Sequence, residues 1–131
     1  MAPYLRILVV DDSEIVRRSI CLILQSQPDI EIVCEASDGA DAVRKVREHR
    51  PHVVLLDITM PVMNGFEAAR RIKHEFPSIL IVVVSQFDSG PFAREAIAAG
   101  ASGYVVKSNA STELIPALRQ VVSQNARKLW Y

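Results

Sequence analysis

The sequence predicts one α/β domain over residues 1–131, a (βα)5 unit with a doubly wound parallel sheet between two layers of helices. Two observations predict this class. Short runs rich in Val, Ile and Leu alternate five times with amphipathic stretches, and four of the five runs are almost continuously apolar. Such runs are typical of parallel strands covered on both faces, and short links between strands and helices imply right-handed crossovers.

The five predicted strands lie at residues 5–10, 30–35, 53–56, 79–84 and 103–106. The strand order expected for this alternation is 2-1-3-4-5, the flavodoxin-like order, in which ligands bind beyond the carboxyl ends of the strands. No linker, repeat or low-complexity segment divides the chain, so a single domain is expected.

Each predicted helix has recognisable start or stop residues. The first follows Ser13, a favourable N-cap, and repeats apolar residues at helical spacing. The later helices are expected after Asp38-Gly39, Asn64-Gly65, Ser89-Gly90-Pro91 and Ser111, and the ends of helices two, three and four at Pro51, Pro77 and Gly100. Basic residues within these stretches, Arg17-Arg18 among them, are interpreted as solvated helix faces.

Composition excludes several classes of protein. Lys plus Arg and Asp plus Glu both total 15, which argues against direct binding of nucleic acid or of an anionic membrane. The two cysteines, Cys21 and Cys34, form no metal-binding motif and are expected as reduced packing residues. The sequence contains no signal peptide and no apolar run near the ~20 residues that cross a bilayer, so we expect a cytoplasmic protein.

Polar residues stand where four of the predicted strands end. Asp11 and Asp12 follow the first strand, Asp57 follows the third, Ser85 follows the fourth and Lys107 follows the fifth. Taken singly, each is an ordinary strand-end, capping or surface residue. The parallel topology brings their strand ends to one edge of the sheet, so the combination predicts a site.

The chemistry of that set points to a metal and a phosphate. Two unit charges ~4 Å apart at an effective dielectric of ~20 repel by about 4 kcal/mol, so three carboxylates must protonate, separate or recruit a cation. Oxygen ligands without His or Cys favour Mg²⁺ or Mn²⁺, and Mg²⁺ usually keeps phosphate oxygens among its ligands. Lys107 and Ser85 suit phosphoryl oxygens, and Asp57 can act as the nucleophile.

The motif order resembles the receiver domain of two-component response regulators, over nearly the whole chain from about residue 4 to 122. The likeness rests on Asp11-Asp12, Asp57 followed by Met60-Pro61-Val62-Met63-Asn64-Gly65, then Ser85, Gly100-Ala101, Tyr104 and Lys107. It implies a phosphoacceptor that catalyses its own phosphorylation and slow dephosphorylation, and is not otherwise an enzyme. The implied donor is a histidine kinase or a phosphotransfer protein, and the implied acceptor is Asp57.

The resemblance also implies the roles of the other site residues. Mg²⁺ would be held by Asp11, Asp12, Asp57 and the backbone carbonyl of Thr59. Lys107 would bind the phosphoryl group, and Ser85 and Tyr104 would form the switch pair. Two residues depart from common receivers: Ser108 replaces a proline after the lysine, leaving the peptide geometry open, and bulky Gln86 stands where a small residue is common and would obstruct an inward turn of Tyr104.

Three shorter stretches of the sequence resemble the branch of this family that usually carries a C-terminal LuxR-type helix-turn-helix. The stretches are residues 28–33, Ala36-Ser37-Asp38-Gly39 and Gly100-Ala101-Ser102-Gly103-Tyr104. The branch implies control of transcription as the output. The chain is expected to be either a stand-alone receiver or a fragment of a longer protein.

Three other functions were weighed. A flavodoxin needs a hydroxyl- and glycine-rich phosphate loop after the first strand, where Asp11-Asp12-Ser13-Glu14 stands. A phosphatase of the haloacid-dehalogenase type needs a second acid two residues after its nucleophile, where Thr59 stands. A pseudo-receiver, an interaction module that takes no phosphate, stays as the alternative.

Two further expectations concern assembly and signal lifetime. Ile115 and Val122 of the fifth helix and Leu22 of the first lie off the core faces, and are either one apolar patch or scattered exposed aliphatic residues. The resemblance favours the patch, as the face of a phosphorylation-favoured homodimer through helices 1 and 5. The competing surface is helix 4 with strand 5, around Phe92 and Tyr104. Thr59 and Phe87 are expected to flank the approach of water to Asp57, and since neither is an acid or amide, dephosphorylation should be slow.

Overall fold

The computed structural model describes residues 4–58, 60, 63–87 and 90–126, and within them it confirms the predicted alternation. The strands are β1 Leu5–Val10, β2 Ile30–Ala36, β3 Val53–Leu56, β4 Leu80–Ser85 and β5 Gly103–Val106. The helices are α1 Glu14–Gln25, α2 Gly39–His49, α3 Gly65–Glu75, α4 Gly90–Ala98 and α5 Ala110–Gln124, with a 3-10 turn at Lys107–Asn109.

All four strand pairs are parallel, and the sheet order β2-β1-β3-β4-β5 is the one predicted. Alternate side chains of each central strand enter opposite layers: Ile7 and Val9 pack with α1 and α5, whereas Leu8 and Val10 pack with α2, α3 and α4. The sheet is therefore buried on both faces, which explains why its strands are apolar throughout. No helix within the described residues is long and apolar enough to cross a membrane.

The helix cap predicted at Ser13 is confirmed, and Asp38 and Asn64, predicted only to precede helices, are caps as well. The side chains of Ser13, Asp38 and Asn64 accept hydrogen bonds from main-chain N–H groups in the first turns of α1, α2 and α3, at 3.3, 2.8 and 2.9 Å. Helices α2 and α3 each end two residues before the predicted proline. Gly100 follows α4 with φ +108°, a conformation that only glycine adopts without strain.

The structure corrects three predicted boundaries. Strand β2 extends one residue further, to Ala36, and β4 lies one residue later than predicted. Ser111 does not cap the last helix: the chain leaves β5 directly into the 3-10 turn, so α5 begins at Ala110 and Ser111 lies inside its first turn. Ser89, predicted to precede the fourth helix, lies outside the described residues.

Candidate functional site

The carboxyl ends of four strands bring the predicted site residues to one edge of the sheet. Asp11 directly follows β1, Asp57 follows β3, Ser85 ends β4 and Lys107 follows β5. One carboxylate oxygen from each of Asp11, Asp12 and Asp57 lies within 4.8 Å of the others. Asp11, Asp57 and Ser85 are buried, whereas Asp12 is exposed. The structure thus brings together residues that are up to 96 positions apart in the sequence.

Lys107 joins two of the three carboxylates. Its Nζ lies 2.8 Å from Oδ2 of Asp11 and 3.3 Å from Oδ1 of Asp57. The other oxygen of Asp11, Oδ1, accepts a hydrogen bond of 2.9 Å from the main-chain N–H of Ser13. A cation placed between two buried acids offsets their repulsion, which is largest in a buried environment.

The charge on Lys107 is stabilised by these neighbours. Burial by itself lowers the pKa of Lys107, since desolvation disfavours the ammonium form. The hydrogen bond to Asp11 and the charges of Asp57 and Asp11 outweigh burial, so the pKa of Lys107 lies above its ordinary value. The lysine is therefore a permanent cation at neutral pH, as binding of a phosphoryl oxygen requires.

Main-chain contacts fix Asp57 at the end of β3. Its N–H donates to the carbonyl of Val10 at 3.0 Å, and the N–H of Gly65 donates to the carbonyl of Ile58 at 2.7 Å. A Cβ atom at Gly65 would stand 2.2 Å from the carbonyl oxygen of Asp57. Glycine at this position therefore lets the start of α3 lie directly against the main chain of the predicted acceptor.

The donor set suits a hard cation. Three carboxylates converge without His or Cys, which is the ligand chemistry that Mg²⁺ and Mn²⁺ prefer. Oδ2 of Asp11 is buried, and its charged neighbour is the Nζ of Lys107 at 2.8 Å. Asp11, Asp12 and Asp57 therefore fit a divalent ion. Thr59, whose carbonyl was expected to complete the ligand set, lies outside the described residues.

Ser85 is linked to Tyr104 through the main chain of Phe87. Oγ of Ser85 accepts from the N–H of Phe87 at 3.0 Å, and the carbonyl of Phe87 accepts from the hydroxyl of Tyr104 at 2.7 Å. The Phe87 ring stacks on Phe92 of α4, with ring centroids 4.5 Å apart. Phe87 was expected to shield Asp57 from water, whereas its ring is engaged with α4; its effect on lifetime stays a prediction.

The structure describes both positions that depart from common receivers, Gln86 and Ser108. Gln86 is exposed, whereas Tyr104 is half-buried and packs against the core on the side of α2, α3 and α4. The peptide between Lys107 and Ser108, left open by the sequence, is trans, like the other described peptide bonds.

Sequence reasoning misassigned Arg17. It was interpreted as part of a solvated helix face, but its side chain is only 17% exposed and reaches the main-chain carbonyl of Asp11 at 2.7 Å. The signal was present in the spacing, because Arg17 lies three, four and seven residues before the buried Ile20, Cys21 and Leu24. A charge on the buried face of a helix is rarely without a partner.

The model of the response regulator receiver domain family matches residues 7–119. This chain therefore belongs to the response regulator receiver domain family, as its motifs indicated.

Similar curated proteins also agree with the predicted branch. The oxygen regulatory protein NreC of Staphylococcus epidermidis is 37% identical over 118 residues, covering 89% of this chain and 54% of NreC. The transcriptional regulatory protein LiaR of Bacillus subtilis is 38% identical over 115 residues, covering 88% of this chain and 54% of LiaR. The chain spans about half the length of the curated relatives it matches.

Solved structures give the same result. A two-component response regulator of the LuxR family from Aurantimonas superposes with a TM-score of 0.88 and 36% identity, covering 92% of this chain and 86% of that one. The receiver domain of the putative response regulator NarL from Mycobacterium tuberculosis gives a TM-score of 0.86 and 29% identity, covering 93% and 98%. The likeness to the LuxR-type branch is thus confirmed.

Proposed function

We propose that the chain accepts a phosphoryl group on Asp57 from a histidine kinase or a phosphotransfer protein, in a reaction that needs Mg²⁺ or Mn²⁺. The observation that carries the proposal is the buried carboxylate of Asp57, which shares Lys107 with Asp11 inside a cluster of three acids. A buried nucleophile beside a fixed cation is the arrangement that phosphoryl transfer uses.

The described residues divide the chemistry between them. An oxygen of Asp57 forms a bond to phosphorus while the bond from phosphorus to the donor's histidine nitrogen breaks, and its electron pair returns to that ring. Lys107 moves from the carboxylates to an equatorial phosphoryl oxygen, and Ser85 donates its hydroxyl to another. Asp11, Asp12, Asp57 and the carbonyl of Thr59 would hold the metal. When bound, the metal neutralises charge that collects on the phosphoryl group.

The proposed switch uses contacts already in place. If Ser85 turns toward a phosphoryl oxygen, its Oγ leaves the N–H of Phe87, and the carbonyl that holds Tyr104 belongs to the same residue. Phosphorylation would thereby change the surface formed by α4 and β5. We propose a cytoplasmic protein whose output is control of transcription, which the likeness to the transcriptional regulatory protein LiaR supports.

The donor protein needs a docking surface beside Lys107. An apolar groove of about 290 Å³ lies there, between α1 and the turn that precedes α5. It is lined by Val16, Ile20 and Ala110 among others, and Ile15, 80% exposed, stands at its rim. We propose that the phosphodonor protein packs on this groove, because an exposed apolar surface next to a reaction site suits transient binding of a protein.

The test is phosphorylation by acetyl phosphate in Mg²⁺, followed by intact-mass analysis. One phosphoryl group should be gained by the unchanged chain and by Asp29→Asn, a matched control at the opposite edge of the sheet. No uptake is expected for Asp57→Ala or in excess chelator. Undiminished uptake by Asp57→Ala would contradict the assignment of the acceptor, and undiminished uptake in chelator would contradict the role of the metal.

The alternative is a stand-alone or pseudo-receiver, an interaction module that acts without phosphorylation. The same experiment separates the two. A chain that binds Mg²⁺ but gains no phosphoryl group from acetyl phosphate or from a phosphorylated donor would favour the pseudo-receiver.

A further inference from the structure

One arginine holds the segment of main chain that carries two of the proposed metal ligands. Nη1 of Arg17 donates to the main-chain carbonyl of Asp11 at 2.7 Å. Nε of the same guanidinium donates to Oε1 of Glu35 at 2.9 Å. Arg17 belongs to α1 and Glu35 to β2, so the guanidinium connects the turn after β1 to its two neighbouring elements.

The contact on Asp11 fixes a peptide plane. The carbonyl that Arg17 binds belongs to the peptide that joins Asp11 to Asp12, so its orientation sets where the Asp12 carboxylate lies relative to Asp11. The main-chain N–H of Asp11 is fixed too, because it donates to the carbonyl of Ala36 at 3.1 Å. The exposed Asp12 thus stands on a main chain whose direction depends on Arg17.

The ion pair with Glu35 offsets the positive charge of Arg17 beside the proposed metal site. An uncompensated guanidinium next to three carboxylates would repel a divalent cation from the same site. Glu35 offsets that charge and keeps the planar guanidinium in place. A lysine at position 17 could not hold two acceptors in fixed directions in this way. The pair therefore supplies position without adding net charge beside the acids.

We propose that Arg17, held by Glu35, is a positioning residue that orients Asp11 and Asp12 for binding of Mg²⁺. The inference deepens the proposed function and rests on it. Arg17 touches neither the metal nor the phosphoryl group, so its effect should appear in metal affinity and not in the transfer step itself.

The experiment titrates Mg²⁺ into the protein by calorimetry, without a phosphodonor. Arg17→Gln leaves Glu35 unpaired, and that extra negative charge alone would tighten Mg²⁺ binding. The double variant Arg17→Gln, Glu35→Gln removes both charges and leaves the net charge unchanged. The double variant is expected to bind Mg²⁺ about 10-fold more weakly, the low end of the range for residues that orient ligands. Arg17→Gln alone should lose less affinity, because the unpaired charge of Glu35 attracts the cation.

The matched control is Arg18→Gln. Arg18 is the next residue, 75% exposed, and its ion pair at 2.9 Å is with Glu14, away from Asp11. It should bind Mg²⁺ as the unchanged chain does. Arg17→Lys keeps the charge but reaches only one acceptor, so its affinity for Mg²⁺ should lie between those of the unchanged chain and the double variant. If thermal melting in chelator shows that Arg17→Gln is unfolded, the affinity of Arg17→Lys is the test of the inference.

A second readout separates positioning from loss of structure. With acetyl phosphate, the half-saturating Mg²⁺ concentration should rise about 10-fold in the double variant, while the rate at saturating Mg²⁺ stays near that of the unchanged chain. Unchanged or tighter Mg²⁺ binding by the double variant would overturn the inference. If the unchanged chain itself fails to bind Mg²⁺ or to gain a phosphoryl group, the proposed function fails instead.

Discussion

At the scale of single residues, the site depends on how each polar group is satisfied. Lys107 is shared between Asp11 and Asp57, and Ser85 is held by the N–H of Phe87. These partners are the ones that a phosphoryl group would replace. Lys107 is paired with two of the three acids, which lowers the cost of holding Asp11 and Asp57 in a buried position.

The lifetime of the aspartyl phosphate should respond to residue 87. Phe87 is tied to Ser85 through its main chain, so a carboxylate introduced there stands near the acceptor and can orient a water. We expect Phe87→Glu to speed self-dephosphorylation by about 10-fold or more, measured as loss of phosphoryl group after removal of acetyl phosphate. Phe87→Leu is the matched control. Loss within seconds in the unchanged chain would contradict the predicted slow dephosphorylation, and no acceleration in Phe87→Glu would contradict an influence of residue 87 on the lifetime.

His52 should make stability depend on pH. Its Nδ1 accepts from the N–H of Arg6 at 3.0 Å, and its pKa is lowered by burial and by the charge of Arg6. The unfolded chain therefore takes up the proton first, so stability is complete above the unfolded pKa of about 6.5 and falls as the pH drops below it.

Replacing His52 tests this dependence. In His52→Asn the amide oxygen can accept the same hydrogen bond without titrating, so the loss of stability between pH 6.5 and 5 should shrink by about 1 kcal/mol or less. Urea unfolding across this range measures it, with His74→Asn on the exposed face of α3 as the control. An unchanged pH profile in His52→Asn would exclude His52 as the cause.

At the scale of elements, α1 carries three functions on different faces. One face packs into the core through Ile20 and Leu24, and the adjoining position holds Arg17 against the site. The outward face exposes Ile15 and Leu22, at 80% and 69%. A helix that serves the core, the site and the surface explains why a charge and two large aliphatic residues break its simple amphipathic pattern.

A substitution at the rim of the groove on α1 should slow phosphorylation by a donor protein but not by a small-molecule donor. Ile15→Glu is expected to slow phosphoryl transfer from a phosphorylated donor protein about 10-fold, which corresponds to a contact of roughly 1.4 kcal/mol. Phosphorylation by acetyl phosphate should not change, because Ile15 lies outside the cluster of acids. Equal slowing with both donors would mean that Ile15 supports the site itself and would contradict docking at the groove.

At the scale of the whole molecule, α1 and α5 share one side of the sheet, and α2, α3 and α4 share the other. Ile115 and Val122 of α5 are half-buried against the layer that includes α1, and Leu22 is exposed on the neighbouring helix. Arg119 of α5 also binds Asp29 through two hydrogen bonds, of 2.6 and 2.7 Å, just before β2. Helices α1 and α5 are neighbours on this side of the sheet, and Leu22, Ile115 and Val122 define the candidate surface.

We predict a homodimer through this surface, favoured by phosphorylation. Leu22→Glu, and Ile115→Glu combined with Val122→Glu, should abolish the increase in mass that light scattering detects on adding beryllofluoride. Ile97→Glu on α4, where Ile97 is 64% exposed, is the matched control and tests the competing surface near Phe92 and Tyr104. Normal dimerisation by Leu22→Glu together with its loss in Ile97→Glu would favour the α4 and β5 face.

The sequence alone was enough to predict the sheet order, the helix cap at Ser13, and the convergence of Asp11, Asp57 and Lys107. These follow from local patterns: apolar runs specify buried strands, and parallel strands place their last residues at one edge. Element boundaries shifted by a residue in β2 and β4, because hydrogen-bonded pairing decides where a strand ends.

Only the tertiary structure decided which partner each side chain takes. Arg17 could bind solvent or the carbonyl of Asp11, and Phe87 could cover Asp57 or stack on Phe92; sequence spacing allows both arrangements in each case. The choice depends on distances between α1 and β2, and between the end of β4 and α4, which local propensity does not set. Contacts between elements therefore set the side-chain partners of Arg17 and Phe87, because packing selects those partners.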